Sequence, residues 1–217
     1  MLGDLARKCP SVIEPGLSEL LKQAIMSIDP IHPNVCNNST WAIGEICVRC
    51  GKNAVALRPY ARDILDNLIP IIMGNSINGK NGIPGLTENA AATIGRLARV
   101  DANFVKDDLP RFLNGWCEGL ANIADADERR DAFEGLLLAI QSNPQAIMTA
   151  NDRAGMISSL ILAIVSWHLP RDDENGEGLV SSEALFGPYN FVSFPNDAAE
   201  LGQAFQQLLL EIKSALG

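Results

Sequence analysis

Basic side chains are in short supply in this chain: 17 lysines and arginines stand against 26 acids, a formal net charge of −9. Nucleic-acid binders gather basic patches to meet a polyanionic backbone, so this balance argues against direct nucleic-acid binding and permits a basic partner. Histidine is scarcer still, with only His32 and His168. Neither stands near a Ser or Cys in a strand–turn–helix setting, so no catalytic triad is supported and no catalytic residue is assigned. The five cysteines are odd in number and scattered through helix-like sequence, which fits a reducing compartment better than a disulfide framework. Asn37 and Asn38 each open a formal N-x-[ST] glycosylation signal, and such a compartment leaves both unused. A long hydrophobic run is missing too. The stretch MISSLILAIVSWHL from Met156 is shorter than a bilayer span and is interrupted by Ser158-Ser159. Asp4, Arg7 and Lys8 stand where a signal peptide needs uninterrupted apolar residues. The chain therefore reads as neither membrane-spanning nor secreted.

Motifs that would announce an enzyme or a metal protein are incomplete. GNSINGKN, residues 74 to 81, comes one residue short of a phosphate-binding loop. Its last position is Asn81, which lacks the magnesium-ligating hydroxyl, and Gly82-Ile83-Pro84-Gly85 continues the turn where a helix should begin. Cys47-x-x-Cys50 is a single pair without the further ligands that a structural zinc requires, so it reads as buried thiols and no metal or cofactor is assigned. The acids Asp107-Asp108, Asp125-x-Asp127-Glu128 and Asp172-Asp173-Glu174 fall in turns or first helical turns, where negative charge suits the helix dipole. Carboxylate catalysis is the weaker reading of them, and the chain is expected not to be an enzyme.

What the sequence does contain is a repeat. Ala42-Ile43-Gly44-Glu45-Ile46, Thr93-Ile94-Gly95-Arg96-Leu97 and Phe133-Glu134-Gly135-Leu136-Leu137 share a small or apolar pair, a glycine, a variable position and an aliphatic residue. The glycines are 51 and 40 residues apart, and the excess of 11 in the first interval is absorbed by the turn-rich insert GNSINGKNGIPG at 74–85. A period of about 40 lies in the range of two-helix solenoid repeats. Between these segments, Val12–Ile28, Leu57–Met73, Phe104–Ile123 and Ala146–Leu169 carry aliphatic residues at i, i+3, i+4 and i+7, as in Ile64, Leu65, Leu68 and Ile72. Pro, Gly, Asn and Asp turns such as Asp29-Pro30 and Asn143-Pro144 separate them. No run sustains the period-two alternation of a strand. An all-α solenoid follows, in which each helix pair buries its apolar side only by stacking on its neighbours. Residues 171–197, rich in acids, glycine and serine and without helical period, read as a mobile inserted loop, and 198–216 as a closing amphipathic helix. The pattern starts and stops abruptly, as expected of a piece of a longer array.

One tryptophan stands out. On a helical wheel of residues 34–50, Val35, Ala42, Ile43, Ile46, Cys47 and Cys50 form the core stripe. Trp41 falls roughly 170° from its centre, among Asn34, Asn37, Asn38, Glu45 and Val48. The wheel leaves two readings open: a ring filling the groove between repeats, or one exposed for binding. The matching position in the next repeat is Ala92, also far from its own stripe, and Asn89 stands before it as Asn38 stands before Trp41. An apolar patch framed by amides suits an extended peptide, whose main chain the amides pair and whose side chain the ring covers.

The runs VCNNSTWAIGE (35–45) and ENA with TIGRL (88–97), the opening LGDL (2–5) and Trp116-Cys117 resemble the transportin family of importin-β-type nuclear import receptors. The likeness covers most of residues 1–170 and resumes in the last helix. It implies a right-handed superhelical solenoid of HEAT repeats, about four repeats plus a leading helix. It implies a single array over 1–217 corresponding to the C-terminal arch, without the Ran-binding N-terminal half and the terminal helix. The family binds proline-tyrosine nuclear localisation signals, extended basic segments found in cargo such as RNA-binding proteins, and the C-terminal arch takes their N-terminal hydrophobic portion. Carried over by motif, Trp41 is the main apolar contact, Asn37 or Asn38 and Asn89 are main-chain partners, and Asp4 meets basic cargo side chains. Glu45 and Ala92 belong to the same expected surface. Ala92 departs from the animal pattern, which has a larger aliphatic residue there, and the two inserts depart too, pointing to a fungal or otherwise divergent homologue. Pro188-Tyr189 lacks the basic residue a signal carries upstream, so self-recognition is not expected. Nucleoporin contacts, shuttling between cytoplasm and nucleus, and the absence of membrane or nucleic-acid partners complete the expectation. A structural scaffold for a folded partner is the alternative.

Overall fold

The computed structural model describes residues 2–50, 54–74, 85–166 and 199–216, and its elements are helical. They are α1 (Leu2–Lys8), α2 (Pro10–Ile13), α3 (Leu17–Met26), α4 (Pro33–Cys50), α5 (Ala54–Leu57), α6 (Ala61–Ile72), α7 (Leu86–Val100), α8 (Leu109–Ala121), α9 (Ala126–Ser142), α10 (Gln145–Met148), α11 (Arg153–Ser166) and α12 (Ala199–Leu216). No strand occurs among the described residues. The expected loop at 171–197 and the interior of the 74–85 insert lie outside them.

The long helices stack in two layers. The front layer runs α1, α4, α7, α9, with α12 against α9; the back layer runs α3, α6, α8, α11. Consecutive back–front pairs make the repeats α3 with α4, α6 with α7, and α8 with α9, led by α1, while α11 packs on α8 and α12 on α9. This is the packing of a HEAT-repeat solenoid.

Sequence accounts for each element locally. In α6 the stripe Ile64, Leu65, Leu68 and Ile72 is buried, and each such side chain contributes about 1.5–3 kcal/mol relative to exposure. Gly74, at φ 67, ends that helix by a left-handed turn that a side chain would oppose. α9 opens with Asp125 as N-cap, whose Oδ1 accepts from the Glu128 backbone N–H at 2.9 Å. The four long helical stretches read from periodicity are each subdivided at a breaker. Pro15-Gly16 places a 3₁₀ turn before α3, Pro59 separates α5 from α6, and α8 begins only at Leu109, with Pro110 in its first turn. The turn around Asp152 separates α10 from α11, with Asp152 Oδ1 accepting from Gly155 N.

The recurring glycines have a packing reason. A methyl group built on Gly135 would overlap the Gly95 carbonyl, and one on Gly95 would overlap the Ala132 backbone. α7 and α9 therefore touch backbone to backbone. At Gly44 the neighbour is the Thr93 hydroxyl at 2.7 Å from the same hypothetical methyl, so α4 and α7 are nearly as close. Thr93 itself donates to the Thr40 carbonyl at 2.9 Å, a buried bond between the two helices. The core stripe of α4 is confirmed at Ala42, Ile43, Ile46 and Cys47, all buried, with Cys50 partly so. Val35 is the exception at 53% exposed. It sits in the first turn of α4, and a wheel gives a direction around the axis but not how far the neighbouring helix extends along it.

Candidate functional site

Trp41 lies midway along α4 and is partly buried. On one side its ring lies against Gly3 of α1, where a methyl group would overlap the indole. On the other, its Nε1–H donates to Glu128 Oε1 at 3.2 Å. Glu128 belongs to the first turn of α9, so the bond passes over α7, which stands between α4 and α9 in the layer.

The carboxylate at the far end of this bond is part of a charge network joining three helices. Arg96 of α7, 5% exposed, donates through Nη1 to Glu45 Oε1 of α4 at 3.1 Å. The same guanidinium stands 3.6 Å from Glu128 and 3.6 Å from Asp131, both on α9. Arg99, one turn along α7, pairs with Asp131 and, at 2.8 Å, with Glu134. A buried guanidinium needs its charge compensated, and here three carboxylates from two neighbouring helices surround it, Glu45 through a hydrogen bond and Glu128 and Asp131 as charge contacts, while Nε itself has no hydrogen-bond partner.

Beside Trp41, on the side away from Glu128, a cleft of about 420 Å³ opens between α1, α3 and α4. Asp4, Gln23, Ser27, Asn38 and Trp41 line it, with Leu2, Leu20 and Val35 supplying apolar wall. The volume lies in the range of about 300–1,000 Å³ usual for ligand-binding clefts.

Three residues expected from sequence thus come together at this cleft: Trp41, Asn38 and Asp4, the last two exposed. Asn37 and Asn89 are brought together elsewhere on the face, and to each other: Asn89 Nδ2 donates to Asn37 Oδ1 at 2.8 Å. That bond uses one of the four hydrogen-bonding capacities of each amide, and Asn37 Nδ2 and Asn89 Oδ1 take no part in it. Two residues depart from the expected open surface. Ala92 is 2% exposed and Glu45 3% exposed. α7 is packed from α4 on one side and α9 on the other, so residues away from its own apolar stripe are still covered, and Glu45 is folded under the Arg96 side chain. Neither presents a surface to a ligand in this arrangement.

Sequence reading did not single out Arg96 or assign Glu128 more than a first-turn acid's role. A signal for both was present. Glu45 and Arg96 follow their repeat glycines directly, so the variable position carries opposite charges in successive repeats. Glu128 precedes Gly135 by seven residues, as Asn37 precedes Gly44, which puts both on the same helix face.

The cysteines are free thiols. Burial pushes Cys47 up to about 12 and raises Cys36, Cys50 and Cys117 as well. A thiol so displaced is protonated at neutral pH and is a poor nucleophile.

No protein-family model matches the chain. Individual relatives do. Transportin-1 of Homo sapiens is 35% identical over 176 residues, 80% of this chain and 18% of that protein. Transportin-1 of Oryza sativa subsp. japonica is 34% identical over 172 residues, 77% of this chain and 18% of that protein. Importin subunit beta-2 of Schizosaccharomyces pombe is 29% identical over 149 residues, 68% of this chain and 16% of its own length. The chain thus spans less than a fifth of the length of the relatives it matches. Two-layer helical packing and similarity at this level to transportins from animal and plant sources lead to one assignment: the chain belongs to the transportin branch of the importin-β family of nuclear import receptors.

Proposed function

We propose that this chain is the part of a nuclear import receptor that receives the N-terminal hydrophobic and basic portion of a proline-tyrosine nuclear localisation signal, at the cleft beside Trp41. The observation that carries the reading is the composition of that cleft: an aromatic ring, the Asn38 amide and the exposed Asp4 carboxylate around one opening. A ring covers an apolar side chain, an amide pairs with main chain, and a carboxylate meets a basic side chain. The net charge of −9 favours a basic segment at long range. On this reading the chain corresponds to the C-terminal arch of its receptor, its cargo includes RNA-binding proteins, and the receptor shuttles between cytoplasm and nucleus. Ran would act through an N-terminal half beyond this chain, and nucleoporins are further partners of the whole receptor. An extended signal held at several linked sites loses their effective-concentration gain when one site acts alone, so affinity for this chain is weak.

Titration with a fluorescein-labelled peptide carrying the hydrophobic half of such a signal, followed by anisotropy, tests the reading. Trp41→Ala is expected to weaken binding about tenfold, the loss of a central aromatic contact, while the helical circular dichroism is retained. Unchanged affinity would count against it. A second reading, a structural scaffold for a folded partner, is favoured by the packing of Trp41 on Gly3 and its bond to Glu128. It expects the same substitution to lower the melting temperature and leave peptide affinity as it was.

A further inference from the structure

Trp41 and Glu128 lie in the first and third repeats, with α7 of the second between them, yet the indole N–H meets the carboxylate at 3.2 Å. Three features allow this reach. At Trp41's place in the intervening repeat stands Ala92, which projects only a methyl group and is 2% exposed. α9 is drawn onto α7 where Gly95 meets Gly135 and Ala132. Glu128 is held in place from behind, its backbone N–H by the Asp125 cap and its carboxylate by Arg96 at 3.6 Å. Arg96 is in turn fixed by Glu45 and Asp131. With Gly3 against its other side, the ring is confined between α1 and α9. A tryptophan on an unobstructed helix face would distribute over several rotamers, and ordering it on binding would weaken the complex.

We propose that Glu128 is the positioning residue of the Trp41 surface: its carboxylate holds the indole down across α7, so that an apolar peptide side chain meets the ring at the α1–α3–α4 cleft and finds no pocket over Ala92. The inference rests on the peptide-binding reading of Trp41. It also gives the small residue at position 92 a role. A larger aliphatic side chain there would occupy the path between ring and carboxylate and present its own apolar surface, so the same face would take an apolar group at a different place.

The test uses the 217-residue chain and two readouts: the indole N–H resonance of Trp41, assigned by comparison with Trp41→Phe, and affinity for a fluorescein-labelled basic peptide with a single phenylalanine. Glu128→Ala is expected to move the indole resonance upfield and to weaken the peptide about fivefold, the scale of one lost hydrogen bond. Glu128→Gln retains an acceptor oxygen, so it keeps the resonance in place and the affinity within about twofold. Ala92→Leu, which leaves Glu128 intact, should reproduce the resonance shift of Glu128→Ala and weaken the same peptide. If Trp41→Ala weakens binding while Glu128→Ala does not, positioning by Glu128 is overturned and the peptide reading stands. A loss in Glu128→Gln equal to that in Glu128→Ala also overturns it, because charge and not orientation would then matter. Full affinity in both Trp41→Ala and Glu128→Ala overturns the peptide reading itself.

Discussion

The two described tryptophans show how differently the layers use the same residue. Trp116, in the back layer, is fully buried, tilted against Phe112 with ring centroids 5.6 Å apart, and its indole N–H donates to the Ala91 carbonyl at 2.9 Å. Trp41, in the front layer, is only partly buried, and its N–H is met by a side-chain carboxylate from another repeat. A main-chain carbonyl in a helix is part of the fold and cannot be withdrawn, whereas a carboxylate on a flexible side chain can. The back layer thus fixes its aromatic ring by apolar burial, and the front layer fixes its ring by a polar bond that substitution can remove without opening the core.

The sharpest break in this comparison would come from alanine at each ring. Trp116→Ala should lower the unfolding free energy by about 4 kcal/mol, the usual loss for a buried aromatic, and Trp41→Ala by about 1 kcal/mol. Urea denaturation at fixed pH measures both, and losses of equal size would mean that Trp41 is as much a core residue as Trp116. Next comes the charge network of the front layer. Arg96→Met strands the Glu45 carboxylate, whose side chain is 4% exposed, and should lower stability by about 3 kcal/mol. In the back layer Arg62, 57% exposed, pairs with Asp66 and with Asp108 at 2.9 Å, and Arg62→Ala should lower stability by no more than about 1 kcal/mol. Similar losses from the two substitutions would erase the distinction between layers. A separate test, by pH, concerns Cys47, on the buried side of the helix that carries Trp41. Its thiol is displaced upward by burial to about 12. The neutral form is favoured by the fold, so this contribution is fully present below the unfolded thiol's value near 9.0 and is lost as pH rises from there toward 12. The urea midpoint should fall between about pH 8 and about pH 10, and less steeply in Cys47→Ala. An identical slope in that variant would assign the dependence to other groups.

The repeat, the two-helix unit and the buried side of α4 were legible because they depend on periodicity, which a single chain displays. The three repeat glycines were visible as a pattern, but their cause was not: that Gly95 and Gly135 face one another across α7 and α9 is a fact about two helices at once. The same limit explains Ala92 and Glu45. A wheel assigns one buried side per helix, while α7 is enclosed by α4 and α9 on two sides, and Glu45 is buried with its partner Arg96. Of the expected site, Trp41, Asn38 and Asp4 share a cleft, and their proximity comes from α1 lying against α4, a contact with no local sequence signature. Asn37 and Asn89, foreseen as partners for a peptide, also bond to each other across the α4–α7 contact, one residue off the repeat register that aligns Asn38 with Asn89.

The bond between Trp41 and Glu128 has a thermodynamic consequence of its own. A solenoid whose units touch only adjacent units behaves as a one-dimensional Ising chain, and its ends can melt while the middle stays folded. This bond joins units that are not adjacent. It adds a next-nearest-neighbour term to the chain, so that fraying of the first repeat is opposed by the third, and this stretch of the array melts more nearly as one block than its nearest-neighbour contacts alone would require.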